Sequence, residues 1–216
     1  MMRKLASTEL HPMPWKNGGG ETIQIAISPP RATVADFDWR VSSARVSSPG
    51  PFSPFPGVDR TLAVISGGPL RLLVSGSPSP SRDGPASVLS LDRDSEPYRF
   101  AGEWSVDSQP QGDGPVIDFN VMTRRGRCSH SMQRIDMRSR VEVAGALLVL
   151  YCVEGVVNCH DVDADWTNVV TLTAGDALHA SRDDAAQRVR LSLIAEPGQG
   201  ARVFVAHIDP RGAADE

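Results

Sequence analysis

The chain has 216 residues, of which 40% are hydrophobic, and its formal net charge at pH 7 is −4. This length suits one large or two small globular β domains, and the negative charge gives no attraction to nucleic acid or to an anionic membrane. No apolar run approaches the roughly 20 residues that a membrane-spanning helix needs, and residues 1–10 lack the features of a signal peptide, so we expect a cytoplasmic protein.

Residues 14–22, Pro-Trp-Lys-Asn-Gly-Gly-Gly-Glu-Thr, form the first informative segment. Three consecutive glycines are costly to order, so they indicate positive φ angles or a close approach that a Cβ would block. The glycines do not match a phosphate-binding loop, because the lysine precedes them and a strand follows. The segment is either a ligand-binding loop or a glycine-rich bulge at the start of a strand. Its candidate ligand contacts are Trp15, Lys16, Asn17, Gly18 and Gly19.

Strand patterns recur along nearly the whole chain, whereas helix patterns are confined to one or two turns. Proline and glycine separate the strands at short intervals, as is typical of sandwiches and barrels. The predicted strands cover residues 22–27, 39–46, 60–66, 70–74, 88–91, 98–100, 116–122, 147–153, 156–160, 169–172, 177–180, 189–195 and 203–208.

A weak internal repeat indicates two related halves. Residues 62–72 and 150–160 both have the order strand, glycine turn, strand, and each is followed by an apolar strand and a polar turn. The second polar turn, residues 172–179, resembles the Gly-Asp turn of cupin barrels. The sequence therefore predicts an all-β protein with little helix, in which two related β-barrel halves pack in one compact unit and the second half begins at residue 123.

A proline-rich loop and a later turn supply further candidates. Residues 50–60, Gly-Pro-Phe-Ser-Pro-Phe-Pro-Gly-Val-Asp-Arg, are stiffened by three prolines and anchored by Phe52. Arg60 offers a planar fork that suits a carboxylate. The alternative is that Asp59 and Arg60 cap the end of a barrel or pair with each other locally. Glu103, in Phe-Ala-Gly-Glu, is a further candidate with turn chemistry as its alternative.

Two predicted strands place polar side chains on a common face. Residues 39–44 put Arg40, Ser42 and Ala44 on one side of their strand. Residues 116–122 put Asp118 and Asn120 together, opposite a run of apolar side chains. These polar groups either line a pocket or meet solvent.

Metal and nucleophile chemistry are not supported by the sequence. None of the five histidines forms the His-x-His pair that metal-binding cupins use, and Asp59 and Arg60 stand where that pair would be needed. There is no Gly-x-Ser-x-Gly elbow. The three cysteines lack CxxC spacing, so we expect buried, reduced thiols and neither metal nor cofactor.

Five motifs together resemble the HutD/Ves family, which is associated with histidine utilisation in bacteria. The resemblance implies a bicupin of two cupin-like jelly-roll barrels, in which residues 1–122 hold the ligand pocket and residues 123–216 are structural. It also implies a non-enzymatic accessory or regulatory role through binding of a small pathway acid such as N-formylglutamate or urocanate. Members of the Ves branch are associated with cold and stress response instead. The motifs are residues 14–22, 39–44, 50–60, 100–103 and 118–126.

These observations predict a protein that binds a small carboxylate and has no nucleic-acid or membrane partner, and a homodimer is compatible with them. The alternative is a metal-independent isomerase or hydrolase with Glu103 or Asp118 as general base, and a third hypothesis is a stress protein with a vestigial pocket. The predicted ligand-binding residues are Trp15, Lys16, Asn17, Gly18, Gly19, Arg40, Ser42, Phe52, Asp59, Arg60, Glu103, Asp118 and Asn120.

Overall fold

A computed structural model describes residues 1–15, 18–75, 87–164, 168–182, 184 and 187–211. In these residues the regular structure is almost entirely antiparallel strand, with one 3-10 turn at Ser7–Glu9. The all-β prediction is confirmed, and each predicted strand lies within an observed one. No helix in the described ranges is long and apolar enough to cross a bilayer.

The chain divides into two compact units. The N-terminal unit is Pro12–Arg125, and the C-terminal unit combines Gly126–Glu216 with Met1–His11. The predicted division into residues 1–122 and 123–216 differs from these units at both ends of the first half, because the first strand pairs with a late strand of the chain. The arrangement of the two units as a bicupin stays a prediction.

The N-terminal unit contains two antiparallel sheets. One has six strands in the order β2-β3-β4-β11-β6-β9, and the other has four in the order β5-β10-β7-β8. Apolar side chains from both sheets, such as Leu62, Leu72 and Val106, share one buried core. The strands are β2 (Pro12–Pro14), β3 (Gly20–Ser28), β4 (Trp39–Val46), β5 (Gly50–Pro51), β6 (Val58–Ser66), β7 (Leu70–Ser75), β8 (Ser87–Leu91), β9 (Tyr98–Ala101), β10 (Ser105–Pro110) and β11 (Val116–Arg124).

The C-terminal unit has the same kind of construction. A five-stranded sheet in the order β1-β17-β14-β19-β12 and a four-stranded sheet in the order β13-β18-β15-β16 share a core that includes Leu150, Leu191 and Val203. The strands are β1 (Met2–Leu5), β12 (Cys128–Met137), β13 (Arg140–Gly145), β14 (Leu147–Glu154), β15 (Val156–Asp161), β16 (Val169–Thr173), β17 (Ala177–Ser181), β18 (Val189–Ala195) and β19 (Ala201–Pro210).

Asp176 fastens the amino-terminal segment to the C-terminal unit. Its carboxylate forms an ion pair with Lys4 at 2.7 Å and accepts a hydrogen bond from the backbone N–H of Ser7 at 2.9 Å. It also accepts hydrogen bonds from the N–H and hydroxyl of Thr173. Burial alone would raise the pKa of Asp176, but these partners outweigh it and hold the pKa well below its ordinary value.

We predict that Asp176→Ala lowers the free energy of unfolding by about 1.5–3 kcal/mol, since charge-assisted hydrogen bonds are lost. Because the native pKa of Asp176 is depressed, this contribution is present at neutral pH and disappears as the pH falls below about 4. Denaturant unfolding at pH 7 and pH 3 measures both effects, with Asp209→Ala, an exposed position on β19, as the control. Equal loss at the two pH values would contradict the role assigned to the carboxylate.

Candidate functional site

One face of the six-stranded sheet carries a group of polar side chains. Strand β11 lies between β4 and β6, and its Met122 is paired with Arg40 on one side and with Arg60 on the other. Two residues earlier on β11, Asn120 is paired with Ser42 of β4. Residues opposite one another in an antiparallel pair point to the same face, so the register brings both arginines to one side of the sheet.

This face forms the floor of a cavity of about 990 Å³. The walls include Trp15, from the segment before β3, and Phe52, from the loop between β5 and β6. The predicted site residues that line the cavity are Trp15, Arg40, Ser42, Phe52, Arg60, Asp118 and Asn120.

Arg60 is buried and enclosed by aromatic rings. Its guanidinium carbon lies 5.2 Å from the ring centre of Phe52, 5.5 Å from that of Phe55 and 4.9 Å from that of Phe100. One terminal nitrogen donates to the carbonyl of Ser53 at 3.3 Å. Burial lowers the pKa of Arg60 to about 10, and the nearby carboxylate of Asp118 opposes part of that shift. The side chain therefore stays charged at neutral pH.

Arg40 is held mainly by its neighbours on the same face. Its Nε donates to Oε1 of Gln24 at 3.2 Å, and one terminal nitrogen lies 3.4 Å from the hydroxyl of Ser42. Burial lowers the pKa of Arg40, and Asp118 partly opposes this change. Arg40 and Arg60 are each less than 8% exposed, so two charged groups occupy a largely desolvated surface.

Asp118 is the acidic residue among those that line the cavity. Its Oδ1 accepts a hydrogen bond from the backbone N–H of Ala44 at 3.3 Å. Burial raises the pKa of Asp118 to about 7, although the charges of Arg60 and Arg40 and the Ala44 hydrogen bond work in the opposite direction. A carboxyl group with this pKa exchanges its proton near neutral pH.

The charges around the cavity do not balance. Arg124 also lines it, and its guanidinium donates to the carbonyls of Phe37 at 3.0 Å and Ala35 at 2.8 Å. The described lining thus contains three arginines and one carboxyl group. An excess of positive charge in a partly desolvated site favours an anionic ligand.

Two buried polar atoms on this face have no hydrogen-bond partner among the described residues. They are Nε of Arg60, a donor, and Oδ1 of Asn120, an acceptor. Leaving a buried polar group unsatisfied costs about 1–3 kcal/mol. A polar ligand or ordered water in the cavity would remove this cost.

Two acidic residues of the predicted site, Asp59 and Glu103, lie away from the cavity. Asp59 does so because side chains alternate between the two faces of β6, which turns residue 59 away from the face of Arg60. Asp59 forms ion pairs with Arg99 at 2.7 Å and with Arg125 at 2.9 Å. Glu103 forms an ion pair with Arg125. The structure does not bring either acid to the cavity, and Asp59 pairs with Arg99 and Arg125 rather than with its chain neighbour Arg60.

The glycine-rich segment is explained mainly by local packing. A Cβ on Gly20 would approach the carbonyl oxygen of Arg45 to 2.3 Å and the ring of Trp15 to 3.2 Å. The Trp15 indole N–H donates to the hydroxyl of Thr22 at 2.7 Å and so fixes the ring against the strand. Gly18 and Gly19 do not line the cavity. Lys16 and Asn17 lie outside the described residues.

Sequence reasoning missed several residues of this site, among them Gln24, Phe55, Met122 and Arg124. Met122 and Arg124 follow Asn120 at period two on β11, so extending the alternation would have found them. Gln24 could not be placed on this face from the alternation of residues alone. A register shift between Gln24 and Ala26 interrupts the pairing of β3 with β4, and the sequence does not reveal it.

The described residues contain neither an assembled metal site nor a reactive cysteine thiolate. No cluster of three or more His, Cys, Asp or Glu side chains there is arranged to hold a metal ion. Cys128, Cys152 and Cys159 are buried and form no disulfide. Burial raises the pKa of Cys152 to about 11 and that of Cys159 to about 12, so neither is a thiolate at neutral pH. The expectation of a metal-free protein stays a prediction.

Comparison of the sequence with known proteins identifies relatives. The sequence model of the HutD family matches residues 7–196. Protein Ves of Cronobacter sakazakii is 38% identical over 122 residues, which are 56% of this chain and 60% of that protein. An uncharacterised 21.2 kDa protein in the hutC 3′ region of Pseudomonas putida is 34% identical over 139 residues, covering 64% of this chain and 67% of that one. The match spans 58–60% of the length of the Ves relatives.

Solved structures show a common fold. A conserved protein of unknown function from Pseudomonas aeruginosa PAO1 has a TM-score of 0.82 at 27% identity, covering 97% of this chain and 99% of that one. HutD from Pseudomonas fluorescens SBW25 has a TM-score of 0.76 at 24% identity, covering 98% and 100%. A cupin 2 conserved barrel domain protein from Leptotrichia buccalis has a TM-score of 0.55 at 6% identity, covering 91% and 92%, so the fold is cupin-like.

We predict that Asp118→Asn gains stability relative to the wild type as the pH rises from about 4 to about 7. The unfolded chain releases the Asp118 proton near pH 4, whereas the folded protein holds it until about pH 7. Raising the pH through this window therefore favours unfolding of the wild type, and asparagine does not titrate. Urea unfolding between pH 4 and 8 tests this, with Asp107→Asn on β10 as the control. A stability difference that does not change with pH would be the contrary result.

Proposed function

The chain belongs to the HutD family, and on that premise we propose that it is a non-catalytic protein of histidine utilisation that binds a small carboxylate in the cavity of its N-terminal unit. N-formylglutamate and urocanate are the candidate ligands, because both carry a carboxylate and a second polar group. Binding of such an acid would let the protein adjust the pathway to the level of an intermediate.

The observation that carries this proposal is the charge excess around the cavity. Arg40 and Arg60 are buried on the same sheet face, and Asp118 supplies the acidic group near them. Coulombic attraction is strong where water is excluded, so a bound carboxylate would compensate a guanidinium that the protein itself leaves unbalanced. An arginine also matches a carboxylate by forming two parallel hydrogen bonds.

The rest of the cavity has groups that would orient the acid. Asn120 presents an amide whose Oδ1 has no partner in the described part of the chain, so it would accept from an N–H or O–H of the ligand. The hydroxyl of Ser42 lies on the same face and is a further polar group for the ligand. Trp15 and Phe52 supply apolar walls against which the carbon skeleton would pack.

A second candidate is metal-independent proton transfer, and one observation favours it. The carboxyl group of Asp118 lines the cavity and has a pKa near 7, which suits a general base. Glu103 is not a candidate for this role, because it lies in the ion pair with Arg125 and does not line the cavity. Incubation of the purified protein with pathway acids, followed by analysis for any product, separates this candidate from simple binding.

A cytoplasmic location and a homodimer complete the proposal as expectations. Sedimentation of the purified protein measures its oligomeric state.

We predict that Arg60→Gln weakens binding of N-formylglutamate at least about 30-fold, since truncating one partner of a desolvated charge pair costs about 2–5 kcal/mol. The test is titration calorimetry with N-formylglutamate, urocanate and glutamate. Arg71→Gln is the matched control, because Arg71 is exposed on β7 of the same unit and does not line the cavity. Arg182 is unsuitable as a control, since it forms a forked ion pair with Asp161 at 2.6 Å.

Thermal unfolding confirms that each variant is folded before it is titrated. If folded Arg60→Gln binds the acids as tightly as the wild type, Arg60 has a structural role and the proposed site is wrong. If the wild type binds none of the acids, the binding function itself fails.

A further inference from the structure

The mouth of the cavity is apolar and exposed. Met13 is 49% exposed and Val34 is 54% exposed, and both line the cavity. They are two of the five large hydrophobic side chains that are exposed in the described ranges. Leaving such side chains in water at a pocket entrance gives no stability to the folded protein, and exposed apolar surface at a cleft is typical of a ligand-binding surface.

Val34 is held at this position by its neighbours. The backbone N–H and the hydroxyl of Thr33 both donate to Oδ1 of Asp36, at 2.7 and 2.6 Å. The backbone N–H of Ala35 donates to the Thr33 hydroxyl at 3.2 Å, and the Ala35 carbonyl accepts from Arg124. The residues on both sides of Val34 are thus held by hydrogen bonds, so its exposed side chain has a fixed place in the lining of the cavity.

The segment from Pro51, the last residue of β5, to Pro56 contributes a second apolar edge. Pro51, Pro54 and Pro56 line the cavity and are exposed, while Phe52 and Phe55 between them pack around Arg60. Proline restricts φ, so this edge loses little conformational freedom when a ligand covers it.

The size of the cavity also bears on the ligand. Sites that enclose a drug-sized molecule have volumes of about 300–1,000 Å³, and this cavity, at about 990 Å³, lies at the upper end of that range. An acid with only a few carbon atoms would contact the arginines and leave the apolar mouth in water.

We propose that the ligand is an amphipathic acid, with its carboxylate at Arg40 and Arg60 and an apolar body that covers Met13 and Val34. This inference rests on the proposed function, because it assigns the carboxylate to the same arginines. It adds that recognition extends from the charged floor to the apolar mouth, so the affinity depends on the apolar part of the acid as well as on its charge.

A series of acids with one head group tests this. N-formyl-, N-butanoyl- and N-hexanoyl-L-glutamate are titrated against the wild type by calorimetry. Affinity should rise about three- to fourfold for each added methylene that leaves water, so the hexanoyl compound should bind more than tenfold tighter than the formyl compound.

Val34→Ser and its matched control Val88→Ser locate the effect. The two valines are 54% and 55% exposed, and only Val34 lines the cavity. Val34→Ser should reduce the gain in affinity from the longer acyl chain, and Val88→Ser should leave that gain unchanged.

The outcomes separate the two proposals. Equal affinity for the three acids, with binding still sensitive to Arg60→Gln, would overturn the amphipathic ligand and leave carboxylate binding in place. A gain that survives in Val34→Ser and Met13→Ser would also overturn it, because the chain would then lie elsewhere. Failure of the whole series to bind would remove the proposed function and this inference together.

Discussion

The burial of two guanidinium groups on one sheet face is the constraint on which the site depends. Arg40 and Arg60 lie on strands that flank β11. Asp118 of β11 is the carboxyl group that interacts electrostatically with both of them. Removing charges from water is expensive unless partners compensate them. The protein compensates only in part, through aromatic rings, carbonyl and amide oxygens and one carboxyl group. The remaining positive charge gives the cavity its preference for an anion.

The elements around Arg60 stabilise its buried charge without adding a second carboxylate to the cavity. The loop between β5 and β6 brings Phe52, Phe55 and the carbonyl of Ser53 around Arg60, and β9 adds Phe100. Ring faces stabilise a desolvated guanidinium without neutralising its charge. Asp59, which directly precedes Arg60, points to the opposite face of the sheet and pairs there with Arg99 and Arg125, which lie outside the cavity. Alternation along one strand thus keeps a second carboxylate away from the site.

Much of this arrangement could be predicted from the alternation of apolar and polar residues along the chain. This alternation predicted the strands, and it placed Arg40 with Ser42 on one strand face and Asp118 with Asn120 on another. The same rule separates Asp59 from Arg60, and the prediction that both bind ligand disregarded it. Other features have no local signal. The pairing of β1 with β17 joins residues far apart in sequence, and the ion pair of Glu103 with Arg125 depends on the backbone path around Gly102, where a Cβ would meet the carbonyl of Phe55 at 2.5 Å.

The most direct test of the central claim observes the arginines themselves. The protein is labelled with ¹⁵N in its arginine side chains, and the Nε–Hε resonances are assigned with Arg40→Gln, Arg60→Gln and Arg71→Gln variants. Addition of N-formylglutamate should shift the Arg40 and Arg60 signals saturably and leave the Arg71 signal unchanged. Saturable shifts confined to exposed arginines, with Arg40 and Arg60 unaffected, would contradict the claim that the buried pair binds the anion.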